Sequence, residues 1–174
     1  SAPPAEHIAA FLKAVTKTRD KALFLPLLDT GARISELLTA PRAAFNTQAA
    51  TLTVIGKGDK QRVLHLHPRA VQALIAHVAT RPASTPWLFH GHDPREPMDR
   101  RAAEKLMSRL CERAGIPHYT PRQLRHAYAT IMLSRGAPLP AVSRSMGHAS
   151  PSITANVYWH ILGEQEIIDA HDKY

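Results

Sequence analysis

Thr120-Pro-Arg-Gln-Leu-Arg-His-Ala-Tyr-Ala-Thr130 is the stretch from which the rest of the chain can be read. Thr120 is a helix N-cap residue and Pro121 suits the first helical position. Gln123, three residues after the cap, can reach back to its N–H. The helix that starts here carries Leu124, Tyr128, Ile131 and Met132 at helical spacing on an apolar side. Arg122 and Arg125 stand three apart and are expected to share a face directed away from the core, where two planar guanidinium forks suit a phosphate. Gly136 is expected to cap this helix. A second helix, from Pro138 to Met146, carries Leu139, Val142 and Met146 and ends at Gly147, which leaves His148 on a turn. Ser150-Pro151 is another cap and first position, so Tyr158 falls about two turns into a third helix.

Upstream, Ile8, Phe11, Leu12 and Val15 repeat at helical spacing. Residues 19–29 read as a buried helix that Pro26 would kink, too short for a membrane span. After Thr30-Gly31 a short helix, Arg33 to Leu38, stops before Pro41. Within it Arg33 and Glu36 are three apart, so the carboxylate could hold the guanidinium. Thr51–Ile55 and Gln61–Leu66 are β-rich runs joined by Gly56-Lys-Gly-Asp-Lys60, a hairpin with Lys57 at its tip. This loop has neither the spacing nor the following helix of a nucleotide-binding P-loop. Val71, Leu74, Ile75 and Val78 mark one further helix, and Ala103, Leu106, Met107 and Leu110 another. Between these two, residues 82–97 form an ordered connection anchored by Trp87-Leu-Phe89.

The 174 residues make one domain with a full core. A formal charge of +8 and a pI near 10.1 point to a polyanionic partner, and nucleic acid fits better than a membrane because no long apolar run or basic amphipathic anchor is present. Cys111 is the only cysteine, which excludes a disulfide framework and a cysteine-rich zinc site and fits a reducing cytoplasm. Ser1-Ala-Pro-Pro leads directly into a helix, so no secretory leader is expected. His65/His67 and His90/His92 are paired at spacing two, but neither pair has a third ligand in a recognisable pattern, so no metal is expected.

Four separated boxes resemble those of the tyrosine recombinases, the phage integrases and Xer-type recombinases. Thr30-Gly-Ala-Arg33-Ile-Ser-Glu36-Leu is similar to that family's first arginine box, and Ile55-Gly-Lys57-Gly to the hairpin that carries its lysine. Arg122-Gln-Leu-Arg125-His126 resembles its His-x-x-Arg-His, with Arg122 where the family has histidine. Met146-Gly147-His148 followed by Tyr158 resembles its Leu-Gly-His box and tyrosine. The resemblance implies a mainly helical α+β catalytic domain, residues 1–174, with a small antiparallel sheet; the family's N-terminal core-binding domain is not in this chain. It implies double-stranded DNA as substrate at a specific recombination site, and no cofactor.

The roles it implies are those that strand cleavage at phosphorus needs. Tyr158 attacks and forms a 3′-phosphotyrosine, Arg33 and Arg125 clamp the non-bridging oxygens, Lys57 protonates the departing 5′ oxygen, and His148 donates to the phosphate. Glu36 and His126 support them, while Lys60 and Arg62 touch the DNA backbone. Arg122 stays charged, so it would act electrostatically and could not shuttle a proton. The tail beyond Trp159, with Ile161, Leu162, Ile167 and Ile168, would dock on a neighbouring protomer in a tetramer on DNA, or pack on its own protomer. The implied setting is the cytoplasm of a bacterium or a phage-infected host. Alternatives are a type IB topoisomerase-like relaxation of DNA, a DNA-binding module with an impaired site, and a nuclease that uses water in place of the tyrosine.

Overall fold

The computed structural model describes the backbone of residues 2–148 and 150–162, with side chains up to Asn156. Among these residues there are eight α-helices and one three-stranded sheet. In chain order they are α1 (Ala5–Ala14), α2 (Thr18–Thr30), α3 (Ile34–Leu38), β1 (Phe45–Asn46), β2 (Thr51–Ile55), β3 (Gln61–His65), α4 (Pro68–Thr80), α5 (Arg100–Ala114), α6 (Pro121–Ser134), α7 (Leu139–Met146) and α8 (Pro151–Leu162).

Helix α2 is the centre of the packing. Ala22, Leu23, Phe24, Leu27 and Leu28 are all buried, and Phe24 meets Phe11 of α1 edge-on with ring centroids 5.2 Å apart. Pro26 lies inside α2, as its sequence requires, and its carbonyl accepts a 2.7 Å hydrogen bond from the Thr30 hydroxyl. Leu74 of α4, Met107 and Leu110 of α5 and Leu124 of α6 complete the same core. A smaller cluster of Tyr128, Ala129, Val142 and Met146 joins α6 to α7.

The sheet is antiparallel in the order β1-β2-β3, with Leu52 opposite Leu64 and Val54 opposite Arg62. Alternation sends Leu52, Val54 and Leu64 into the core and leaves Ile55 and Val63 exposed. Strand β1 is an addition to the expected hairpin: two residues are too few to show a period-2 pattern in sequence. The connection 82–97 is ordered as expected. Leu88 and Phe89 are fully buried, the Leu88 N–H donates to the Ala40 carbonyl, and the Trp87 indole donates to the Arg95 carbonyl at 3.0 Å. Arg135 caps α6, with Gly136 following at φ 88°. Among the described residues no helix is long and apolar enough to cross a membrane.

Candidate active site

Helix α6 starts as its sequence dictates. Gln123 N–H donates to the Thr120 hydroxyl oxygen at 3.3 Å, and Thr120 N–H donates to Gln123 Oε1 at 2.8 Å. This fixes the first turn and with it Arg122 and Arg125. The two arginines do not share an outward face. Arg122 is exposed, whereas Arg125 is 8 % exposed and turns inward. Its Nη1 donates to the carbonyls of Gly31 and Met146, the latter at 3.2 Å. Its Nη2 donates to Met146 O at 3.3 Å and faces His148 Nε2 at 3.4 Å. A buried guanidinium needs acceptors, and here main-chain oxygens at two helix ends supply them. Burial, and then the charge of Arg33, lower the Arg125 pKa to about 10, so it stays charged at neutral pH.

Both helix ends that hold Arg125 are built on glycines. Gly31 follows α2 at φ 69°, and a Cβ there would meet the Tyr128 ring at 2.3 Å. Gly147 follows α7 at φ 72°, and a Cβ there would lie 2.7 Å from Arg62 Nη1. Tyr128 reinforces the junction: its hydroxyl is 2.8 Å from the Ser145 hydroxyl, which donates to the Thr30 carbonyl at 3.1 Å.

Glu36 has a closer partner beside the Arg33 that was expected. Its carboxylate, 3 % exposed, takes both ends of the Arg62 guanidinium, with Nη2 to Oε1 at 2.9 Å. Arg33 donates its backbone N–H to Oε1 at 2.8 Å, while its side chain stays 3.9 Å away and more than a third exposed. Arg62 also donates Nε to the Ser145 carbonyl at 3.2 Å. The guanidinium expected on a DNA backbone is therefore engaged within the protein, where it ties β3 to α3 and α7. Sequence spacing favours the i,i+3 pair; a contact between residues 26 apart is invisible to it. The result leaves Arg33 with donors free to face the cleft.

His148 follows Gly147, and its ring is gripped on both sides. Nδ1 is 2.5 Å from the hydroxyl of Thr154 on α8, which is fully buried, and Nε2 faces Arg125. A guanidinium can only donate, so Nε2 accepts and the ring proton sits on Nδ1, donated to Thr154. Burial, then Arg125, Arg33 and Arg62, push the imidazole pKa down to about 4, which makes it neutral at pH 7. The unfolded chain takes up a proton at the ordinary 6.5, and the fold resists it down to about 4. The sign is therefore that the DNA-free protein loses stability as pH falls through this window. Urea midpoints at pH 7 and pH 5 should differ less in His148→Gln than in the parent.

These groups open on a cleft of about 910 Å³. Arg33, Lys57, Lys60, Arg62, Arg122, Arg125, His126 and His148 all line it, so eight of the ten expected residues are brought together. Glu36 lies behind Arg62. Tyr158 lies on the backbone of α8 seven residues after Pro151, and its side chain, like the tail 163–174, lies outside the described residues. Two cations that the motifs did not indicate, Arg100 and Arg144, also line the cleft. Eight Arg and Lys side chains thus surround it, with no Asp or Glu among the described lining residues. One phosphate cannot balance such a charge; a polyanion can.

Comparison with known proteins follows the same lines. The model of the phage integrase family matches residues 4–165. Tyrosine recombinase XerD of Rhizobium meliloti is 34% identical over 156 residues, which cover 87% of this chain and 50% of that protein. Tyrosine recombinase XerC of Pelobacter propionicus is 33% identical over 159 residues, 89% of this chain and 51% of that protein. The chain therefore spans about half the length of these relatives. The crystal structure of XerA recombinase superposes with a TM-score of 0.85 at 26% identity, over 99% of this chain and 64% of that one. XerH recombinase bound to its difH substrate shares the fold at a TM-score of 0.77 and 22% identity, over 90% of this chain and 49% of that one.

Proposed function

Because this chain belongs to the phage integrase family, the tyrosine recombinases, we propose that it is the catalytic domain of a site-specific recombinase that cuts and rejoins double-stranded DNA. The observation that carries the reading is the cleft of about 910 Å³, which is lined by Arg33, Lys57, Arg125 and His148 from four parts of the chain. The hydroxyl of Tyr158 attacks a phosphodiester phosphorus, its proton passing to solvent, and the bond to the 5′ oxygen breaks, leaving a 3′-phosphotyrosine. Arg33 and Arg125 hold the non-bridging oxygens as charge builds on them. Lys57 gives its proton to the departing 5′ oxygen. A 5′ hydroxyl from another strand then attacks the phosphotyrosine and reverses the step. The energy of the diester is kept in the tyrosyl ester, so no ATP is needed.

Arg122 stands where the family has a histidine. Exposed at the mouth of the cleft, it contributes charge to phosphate binding and leaves the chemistry to its neighbours. Replacing it by Gln should weaken DNA binding uniformly across sequences and reduce the slope of log affinity against log salt by about one. Binding isotherms over a salt series check this. The tail from Trp159 to Tyr174 we read as the segment that docks on a neighbouring protomer in a tetramer on DNA. Of the alternatives, the relatives favour recombination over topoisomerase-like relaxation, and a plasmid assay separates them: resolved or inverted products against relaxed circles.

The test of the reading is to trap the intermediate. The protein is incubated with fragmented DNA of its own source organism and denatured, and covalent protein–DNA complexes are captured and sequenced. A recurrent duplex site, with Tyr158 joined to a 3′ phosphate in the peptide mass spectrum, is the expected result. Specific binding with no adduct would leave an impaired binding module, and free ends with no adduct would point to a water nucleophile.

A further inference from the structure

We infer that Thr154 is a positioning residue for the cleavage reaction: its hydroxyl holds the His148 imidazole and lets the ring proton move to whichever nitrogen the cleft requires. The inference rests on the recombinase reading for its activity test, but the contact itself comes from the geometry. Thr154 is fully buried one turn before Tyr158 on α8, and its Oγ1 is 2.5 Å from His148 Nδ1. Helix α8 therefore meets the cleft through a side chain that bonds one of its functional groups.

A hydroxyl can donate or accept, a freedom that Thr154 has and the Arg125 guanidinium on the other side of the ring lacks. In the DNA-free protein Arg125 donates toward Nε2, so Nδ1–H donates to Thr154. When a phosphate enters, Nε2 has to donate to an oxygen. Its proton is then on Nε2, and the Thr154 O–H turns to donate to Nδ1. No net proton is gained or lost: the imidazole stays neutral and only the tautomer changes. A valine has the same shape but can serve neither state. A serine can serve both.

The contact also gives α8 a reason to sit where it does. Thr154 lies four residues before Tyr158, a rise of about 6 Å along the helix. Any displacement of α8 that moves Tyr158 also takes the partner from His148 Nδ1. A correctly seated α8 and a correctly oriented His148 are in this way one condition.

The test compares Thr154→Val and Thr154→Ser with the parent, each also in a His148→Ala background. Single-turnover cleavage is measured at saturating DNA on the site found by trapping, and imidazole ¹⁵N spectra are recorded on the free, histidine-labelled proteins. Thr154→Val should lower the cleavage rate roughly 10- to 100-fold with DNA affinity unchanged. It should shift the His148 ring signals, and Ser should restore both. In the His148→Ala background Val should cost nothing further, because the hydroxyl acts through that ring. An equal loss in both backgrounds would mean that Thr154 only stabilises α8 and would overturn the proposal, as would His148 ring signals unmoved by valine. The spectra need no DNA, so a parent that forms no adduct would sink the recombinase reading while the contact is still judged by its own signal.

Discussion

Arg125→Lys should lower single-turnover cleavage by about 10²- to 10³-fold, the loss usual for one donor preorganised at a developing oxyanion, while DNA affinity changes little. The charge is kept; the fork is lost. In the parent, the guanidinium makes bonds to Gly31 O and Met146 O and still faces His148 and the cleft. An ammonium on a flexible stem has three donors around one atom, so it cannot satisfy both carbonyls and present a planar pair to a phosphate. The measurement is the rate of adduct formation beside a binding isotherm on the same DNA. A variant that cleaved at the parent's rate would mean that Arg125 supplies charge alone, and affinity falling in step with rate would place the fork in ground-state binding.

Glu36→Ala should destabilise the free protein by about 3–5 kcal/mol, the cost usual when one partner of a buried ion pair is removed. Glu36 is 3 % exposed and takes the Arg62 guanidinium bidentately. Without it Arg62 keeps a position 15 % exposed, near Arg33 and Arg125, with no other carboxylate paired to it among the described residues. The loss should be visible as a fall in the urea midpoint at constant slope. Glu36→Gln keeps an oxygen that can accept from the Arg33 N–H, so it should lose less. Inorganic sulfate or bound DNA should recover part of the deficit in both variants, because an anion in the cleft replaces some of the missing negative charge. A deficit that no anion relieves would place the role of Glu36 in packing and not in charge.

The contrast between Thr120 and Arg125 marks how far the sequence could be read. Local signals carried well: cap, proline and Gln123 start α6 as expected, Gly147 ends α7, and the hairpin turns around Gly56 and Gly58. The motif residues then converge because they stand at the ends of these elements. What could not be read is what depends on partners distant in sequence. Periodicity assigned Arg125 to an outward face because charge is usually solvated, and nothing in the pattern announces two carbonyls, 94 and 21 residues away, waiting for it. Helical spacing likewise shows the Arg33–Glu36 pair, 3.9 Å apart, but not the closer Arg62 that reaches the same carboxylate from 26 residues away. Thr154 carries no signal at all: a threonine inside a short helix is unremarkable until its hydroxyl is found against His148. Arg100 and Arg144 belong to no motif, and only the folded chain brings them to the cleft.

The acceptors that seat Arg125 are oxygens of the main chain. No substitution at position 146 can delete its oxygen, so that residue is free to drift among apolar types that fill the same space. Position 31 supplies its oxygen just as generically but is confined by conformation, since anything beyond a hydrogen would strike Tyr128. A library that randomises the neighbourhood of this arginine should therefore return tolerance at 146 and near-uniform glycine at 31. An essential cation would then have one variable and one fixed neighbour, and a search for its partners through covarying side chains would find none.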